Sequence, residues 1–264
     1  MVQSTVAVDV AEVDLLCAAA GCPPPFPLRA PEFGRDIPER RASLHAAGAR
    51  LAERGLADEQ GPLGVAEAFA HLLAGAVRTM DLVLSAGPDV YGAVLLARGD
   101  LAVLAVQQLT APDTVRMAEL PVDDAVDELL GLIPHRDAAL VSPFAVPRAA
   151  VRRVHEALRA APTPLDSRDW EDLLSANGID DSLGRRMVAN LQPVVGNGQA
   201  GLAERAGYAQ QWRRTGAELR WLDTERGRLQ LVTDPDDDAW LSVNPLHTTD
   251  LHKALRHTAS TLRD

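Results

Sequence analysis

The sequence predicts an α+β fold: one domain of two quasi-equivalent halves, with a joint sheet and helices packed against it. Three observations carry this expectation. Strand-like runs come in consecutive sets instead of alternating with helices, which argues for antiparallel pairing and against βαβ crossovers. The order three helices, strand meander, proline-led helix occurs twice along the 264 residues. Local phrases also recur: Leu96-Ala-Arg98-Gly99-Asp100-Leu101 resembles Thr224-Glu-Arg226-Gly227-Arg228-Leu229, and Leu120-Pro121-Val122 resembles Asn244-Pro245-Leu246. The halves are 1–135 and 136–264 of a single domain spanning 1–264.

Residues 2–8 alternate weakly, as an edge strand does. Asp9-Val-Ala-Glu12 has the form of a capping box, an N-cap acid with Glu three residues on. Val10, Val13, Cys17 and Ala20 then share one face of a helix that Gly21 ends. Pro23, Pro24, Pro25, Pro27 and Pro31 mark an extended surface linker over 22–35. Ile37, Leu44, Ala47 and Leu51 stripe a second helix stopped by Gly55, and a third opens at Gly61-Pro62. Strands follow at Val77–Leu84, Val90–Arg98, Leu101–Gln107 and Val115–Leu120, with turns at Gly87-Pro88 and Gly99-Asp100. After Pro121, the residues Val122, Ala125, Val126, Leu129, Leu130 and Ile133 form the clearest helical stripe in the chain, ended by Pro134. In the second half helices are expected at 147–160, 168–176 and 181–191, strands at 199–205, 217–223, 227–233 and 239–243, and a last helix through Leu251, Leu255, Thr258 and Leu262.

Composition narrows the function. Apolar residues make up 47% and charged residues 24% of the chain, as in an ordinary globular protein. Its net charge of −11 repels nucleic acid, whose binders gain affinity by neutralising phosphates. No apolar run is long enough for a transmembrane helix, and the N-terminus has no signal-peptide pattern, so a cytoplasmic location without membrane insertion is expected. Cys17 and Cys22 match no zinc or redox spacing and are expected to be structural thiols.

Motifs that carry chemistry are scarce. Gly196-Asn-Gly198-Gln-Ala-Gly201 matches the dinucleotide fingerprint in letters. That fingerprint needs a strand before it and a helix after it. Here strands come next, and a flexible turn leading into a strand is the better reading. Seven scattered histidines show no metal spacing, Asp234-Pro-Asp236-Asp237-Asp238 lacks the residues of a calcium loop, and no cofactor is expected. Trp170, Tyr208, Trp212, Trp221 and Trp240 all lie in the second half. Trp221 and Trp240 are read as core residues, whereas Tyr208 and Trp212 sit in a polar context that suits a protein interface.

Several segments together are similar to one known family. Gly-Ala-Arg-Leu-Ala-Glu-Arg-Gly-Leu at 48–56, Leu-Leu-Ala-Arg-Gly at 95–99 and Leu-Leu-Gly-Leu-Ile-Pro at 129–134 resemble the EspG family, as do Gly198-Gln-Ala-Gly201, Trp221-Leu-Asp-Thr-Glu-Arg-Gly-Arg228 and Trp240 to Pro245. The likeness runs from about residue 9 to the C-terminus. These are cytosolic, non-enzymatic chaperones of actinobacterial type VII (ESX) secretion. The resemblance implies two quasi-two-fold related halves and a central, mostly antiparallel sheet flanked by helical bundles. It also implies that the chain binds the tip of the PPE-like part of a secreted helical PE–PPE heterodimer and keeps it soluble. The oligomeric state, monomer or weak dimer, stays open. The partner-facing residues implied are Gln199, Arg205, Tyr208, Trp212, Arg220 and Gln230, with Asp89 and Tyr91 from a short loop at Gly87–Gly92. A competing reading is an enzyme using a pocket between the two halves, with the Gly196–Gly201 loop at a nucleotide or other ligand.

Overall fold

A computed structural model of the chain describes residues 5–160, 167–206, 211–233 and 239–262. The elements run β1 (Val6–Asp9), α1 (Val10–Ala20), α2 (Ile37–Glu53), β2 (Ala57–Asp58), β3 (Gly61–Pro62), α3 (Val65–Gly75), β4 (Arg78–Ala86), β5 (Asp89–Arg98), β6 (Leu101–Gln108), β7 (Thr114–Pro121), α4 (Val122–Gly131), β8 (Phe144–Pro147), α5 (Arg148–Ala160), α6 (Ser167–Ala176), α7 (Asp181–Leu191), β9 (Val194–Ala206), β10 (Gln211–Thr224), β11 (Gly227–Thr233), β12 (Trp240–Pro245) and α8 (Thr248–Ser260). Ten strands form one sheet in the order β1-β7-β6-β5-β4-β9-β10-β11-β12-β8. The fold is therefore α+β with a large antiparallel sheet.

The chain divides into two compact units. The first holds residues 1–134, 199–218 and 252–264, and the second holds 135–198 and 219–251.

Local chemistry explains the first unit. Asp9 and Glu12 close the capping box at the start of α1, with Glu12 N donating to Asp9 Oδ1 at 2.8 Å and Asp9 N donating to Glu12 Oε2 at 2.9 Å. Gly21 leaves α1 in the left-handed region, so that Cys22 N can donate to Cys17 O. Cys17 is buried among apolar side chains, and burial pushes its thiol up to about 12, as suits an inert core residue. One face of β5, β6 and β7 (Val94, Leu96, Val103, Ala105, Val115, Met117) packs with Leu16 of α1 and with Phe69, Leu72 and Leu73 of α3. The stripe Val122, Ala125, Val126, Leu129 and Leu130 is buried where α4 packs on β5, β6 and β7. Full burial of a Leu-sized side chain is worth about 1.5–3 kcal/mol, so this stripe anchors the helix far more firmly than its propensity does.

The second unit packs Phe144, Val146, Leu229 and Val243 of its strands with Val151 of α5 and Leu183, Met187 and Leu191 of α7. Its β10–β11 hairpin is closed by a buried ion pair. Arg228, fully buried, donates to Asp223 at 2.7 and 3.0 Å, and Thr224 Oγ1 donates to Gly227 O at 3.0 Å. Arg228 also lies 5.8 Å from the Trp221 ring. The segment Trp221 to Arg228 is thus a structural lock in which each of Trp221, Asp223, Thr224, Gly227 and Arg228 has a packing or bonding role.

Four expectations need correction. Gly61-Pro62 does not open α3; it is the short strand β3, paired with β2, and the helix begins at Val65. β8 is unforeseen, because a four-residue strand that follows Pro143 and ends in Pro147 is too short to show a period; both prolines suit a strand at the sheet edge. Trp240 is not core but 48% exposed, since it starts β12 beside that edge strand, whereas Trp221 is 1% exposed. Finally, Gly196–Gly201 lies inside β9 and is not a turn.

Both outer edges are guarded. Arg54 Nη1 donates to Ala7 O of β1 at 2.7 Å. At β8, Arg186 of α7 lies 4.7 Å from the Phe144 ring and donates to Ser142 O at 2.8 Å.

Gly198 of β9 is explained by space. A methyl on Gly198 would come within 2.0 Å of the Trp221 ring, so the indole packs where no side chain can stand. Gly198→Ala is expected to lower stability by about 1–3 kcal/mol in urea unfolding. Gly131→Ala, whose methyl meets nothing within 4 Å, should leave the midpoint unchanged or slightly raised. Equal midpoints for the two variants would refute this account of β9.

Candidate functional site

In the first unit, β9 lies between β4 and β10. On the side of these strands that faces α1 and α3, polar and aromatic side chains stand partly open to solvent. Asp81 of β4 is fully buried, and such a carboxylate needs a cation. Arg214 of β10 supplies it, pairing through Nη1 with Asp81 Oδ2 and through Nη2 with Asp81 Oδ1 at 2.8 Å. The pair spans β9, and Gly201 makes the crossing possible: a methyl there would stand 2.9 Å from Arg214 Nη1. Arg214 also pairs with Glu218 at 3.0 Å and lies 5.6 Å from the ring of Phe26. Burial pushes the Asp81 carboxyl up to about 6, with the Arg214 guanidinium acting against that rise. For Arg214, burial lowers the pKa, but the hydrogen bonds and charge of Asp81 outweigh it and raise the group above its ordinary value.

Next to this pair, Arg205 of β9 lies 5.0 Å from the Trp212 ring. Its guanidinium donates to Leu73 O and, at 3.0 Å, to Ala74 O in the last turn of α3, where helix carbonyls lack partners. Trp212 packs against the apolar core of the unit and remains half-buried.

The residues singled out from sequence fall in different places. Gln199 and Arg205 share one side of β9 with Gly201 by strand alternation, and Trp212 joins Arg205 there; all three are half-buried. Asp89 and Tyr91 belong to strand β5, because the loop expected at Gly87–Gly92 is a two-residue turn, Gly87-Pro88, between paired Ala86 and Asp89. By register both point to the side carrying Leu95 and Leu104, away from the α1 and α3 side, and Asp89 accepts from Gln108 Nε2 at 2.7 Å. In the second unit Arg220 is exposed, next to buried Trp221. Gln230 pairs with Trp221 across the ladder, so it lies on the opposite face from Arg220. Tyr208 lies outside the described residues. Sequence reasoning missed Asp81, Arg214 and Phe26.

The second unit carries an open groove of about 360 Å³ along α6 and α7, lined by Trp170, Leu174, Ile179 and Val188, with Asp180, Asp181 and Arg185 among its polar residues. Gly184 lets Leu174 approach closely. No cluster of three metal-binding side chains occurs among the described residues, and no described helix is long and apolar enough to cross a membrane.

A sequence model describing the EspG family matches residues 9–257 of the chain. No curated protein matches the sequence. Among solved structures, the type VII secretion chaperone EspG5 of Mycobacterium tuberculosis, solved in complex with a PE25–PPE41 dimer, superposes with a TM-score of 0.63 at 16% identity, over 98% of this chain and 97% of that one. A double-hotdog protein of M. tuberculosis aligns over 93% of this chain and 94% of that one at 11% identity, but its TM-score of 0.15 carries no argument about fold.

The Asp81 pair predicts a pH dependence. A carboxyl whose pKa rises from 3.8 to about 6 on folding stabilises the native state most below pH 3.8 and loses that contribution as pH rises through about 6. In urea unfolding between pH 3.5 and 7, the stability difference between the wild type and Asp81→Asn should therefore shift against the wild type as pH rises. A flat difference would show that Asp81 titrates normally.

Proposed function

This chain belongs to the EspG family, and from that premise we propose that it is a cytosolic, non-enzymatic chaperone of type VII secretion. It holds the tip of the PPE-like part of a secreted PE–PPE heterodimer and keeps that client soluble. The observation that carries this reading is the family match over 9–257, supported by an EspG5-like fold along nearly the whole chain. EspG5 itself was solved with a PE25–PPE41 dimer. A surface of mixed polar and aromatic residues on β9 and β10 suits such a role, since interfaces favour Trp and Arg. We read Gln199, Arg205, Tyr208, Trp212, Arg220, Gln230, Asp89 and Tyr91 as partner-facing. Gln199, Arg205 and Trp212 form the nucleus of the assignment on one side of the sheet, whereas Asp89 and Tyr91 stand on its other side. Two quasi-equivalent halves, 1–135 and 136–264, complete the reading. Supporting it are the order strand, helices, four-strand meander, helix, which runs twice from β1 to α4 and from β8 to α8, and the pairing of each leading strand with the last strand of its own meander.

Co-expression of the tagged chain with a PE–PPE pair from its own cytosol tests the proposal. The wild type should raise the soluble yield of the pair and retain it stoichiometrically. Gln199→Glu and Arg220→Glu, which place new negative charge on the surface, should each weaken retention at least about tenfold if the client meets it there. Absence of retention by the wild type would sink the chaperone reading; wild-type retention by both variants would sink only the residue assignment.

A further inference from the structure

Phe26 stands out from its surroundings. It is 48% exposed, while Cys22 and Leu28 on either side of it are buried. The proline-rich segment that carries it is pinned at several points. Leu28 N donates to Pro25 O at 3.0 Å, and Arg29 N donates to Gln107 Oε1 at 2.7 Å. Gln107 Nε2 returns a bond to Arg29 O at 3.0 Å, and Arg29 Nη1 donates to Leu109 O at 3.1 Å. Pro27 sits so close to β5 that a methyl on Gly92 would meet its ring at 2.7 Å. The fold therefore pins the backbone that carries an aromatic side chain and leaves the ring half in solvent.

Arg214 beside it is held by two carboxylates. Its side chain is 30% exposed, whereas that of Asp81 is fully covered and that of Glu218 is 14% exposed. What an approaching molecule meets at this cluster is thus chiefly the guanidinium and the phenyl ring. No described residue accepts a hydrogen bond from Arg214 Nε. A guanidinium held by two carboxylates and a ring carried on a pinned backbone lose less conformational entropy than free side chains would when a partner covers them. Aromatic and Arg side chains of this kind are the types that dominate interface energetics.

Resting on the chaperone reading, we propose that Phe26 and Arg214 form the specificity-determining contact for the client. The client places an apolar side chain against the Phe26 ring and a neutral carbonyl oxygen on the Arg214 guanidinium, whose charge Asp81 and Glu218 already balance. A partly exposed guanidinium beside an apolar ring suits that combination. The proline-rich segment is then part of the binding surface as well as a connection between α1 and α2. Asp81 acts through Arg214, as the residue that positions it.

The test uses the full chain and a purified PE–PPE heterodimer, with affinities from titration calorimetry and melting temperatures for every variant. Phe26→Ala should weaken binding at least tenfold with the melting temperature nearly unchanged, because the ring is half in solvent. The double variant Asp81→Asn/Arg214→Gln keeps a neutral hydrogen-bonding pair in place of the ion pair and should also lose at least tenfold. Loss in both variants, at melting temperatures that show folded protein, is the expected result. If either folded variant binds within twofold of the wild type, the contact is not specificity-determining and the inference falls. If the wild type retains no PE–PPE heterodimer at all, it is the chaperone reading that fails.

Discussion

A buried carboxylate with no cation of its own organises the first unit. Asp81 sits on β4, where water cannot solvate it, and its only described ion-pair partner arrives on β10 from 133 residues away. That demand fixes three things together: an arginine at 214, a glycine at 201 beneath the crossing guanidinium, and the register that brings β10 opposite β4 across β9. Removal of Arg214 alone would strand a charge in the interior, which costs about 3–5 kcal/mol in comparable buried pairs. The arrangement also explains why β10 carries an arginine at 214. Its arginine is structural on one side and accessible on the other.

The second unit solves a similar problem within a single hairpin. Asp223 and Arg228 are five residues apart, and their pairing needs only the turn between them. Thr224 and Gly227 tie that turn, while the Trp221 indole covers the strand next door where Gly198 has no side chain. The two ion pairs therefore differ in kind. One is local and forms with its hairpin, whereas the other closes only after β4, β9 and β10 have assembled.

This difference decides how much was legible in the sequence. Periodicity exposed α4 completely, because Val122 to Leu130 bury one face of one helix. The capping box at Asp9 and Glu12, the Gly99-Asp100 turn and the meander around it were equally readable, since each depends on neighbours in the chain. The glycine triplet at 196–201 misled for the opposite reason. Gly198 and Gly201 answer to Trp221 and Arg214, neither of which any local window contains. Asp81 lay unmarked inside the strand expected at Val77–Leu84, Phe26 lay inside the linker, and β8 was not expected at all. Each of these residues takes its meaning from a partner that is distant in sequence. Trp240 erred because a strand-borne tryptophan reads as core unless the neighbouring strand is known to be the last in its sheet.

The guarded edges have a further consequence. An open sheet ends in strands whose outer backbone groups can recruit another strand, and such ends seed aggregation. On β1 an arginine occupies an edge carbonyl, and β8 is short, flanked by prolines that cannot donate, and braced by Arg186. Neither end offers a continuous ladder. A sheet with such ends is less open to recruiting another strand, so contacts with other molecules fall chiefly to its side chains.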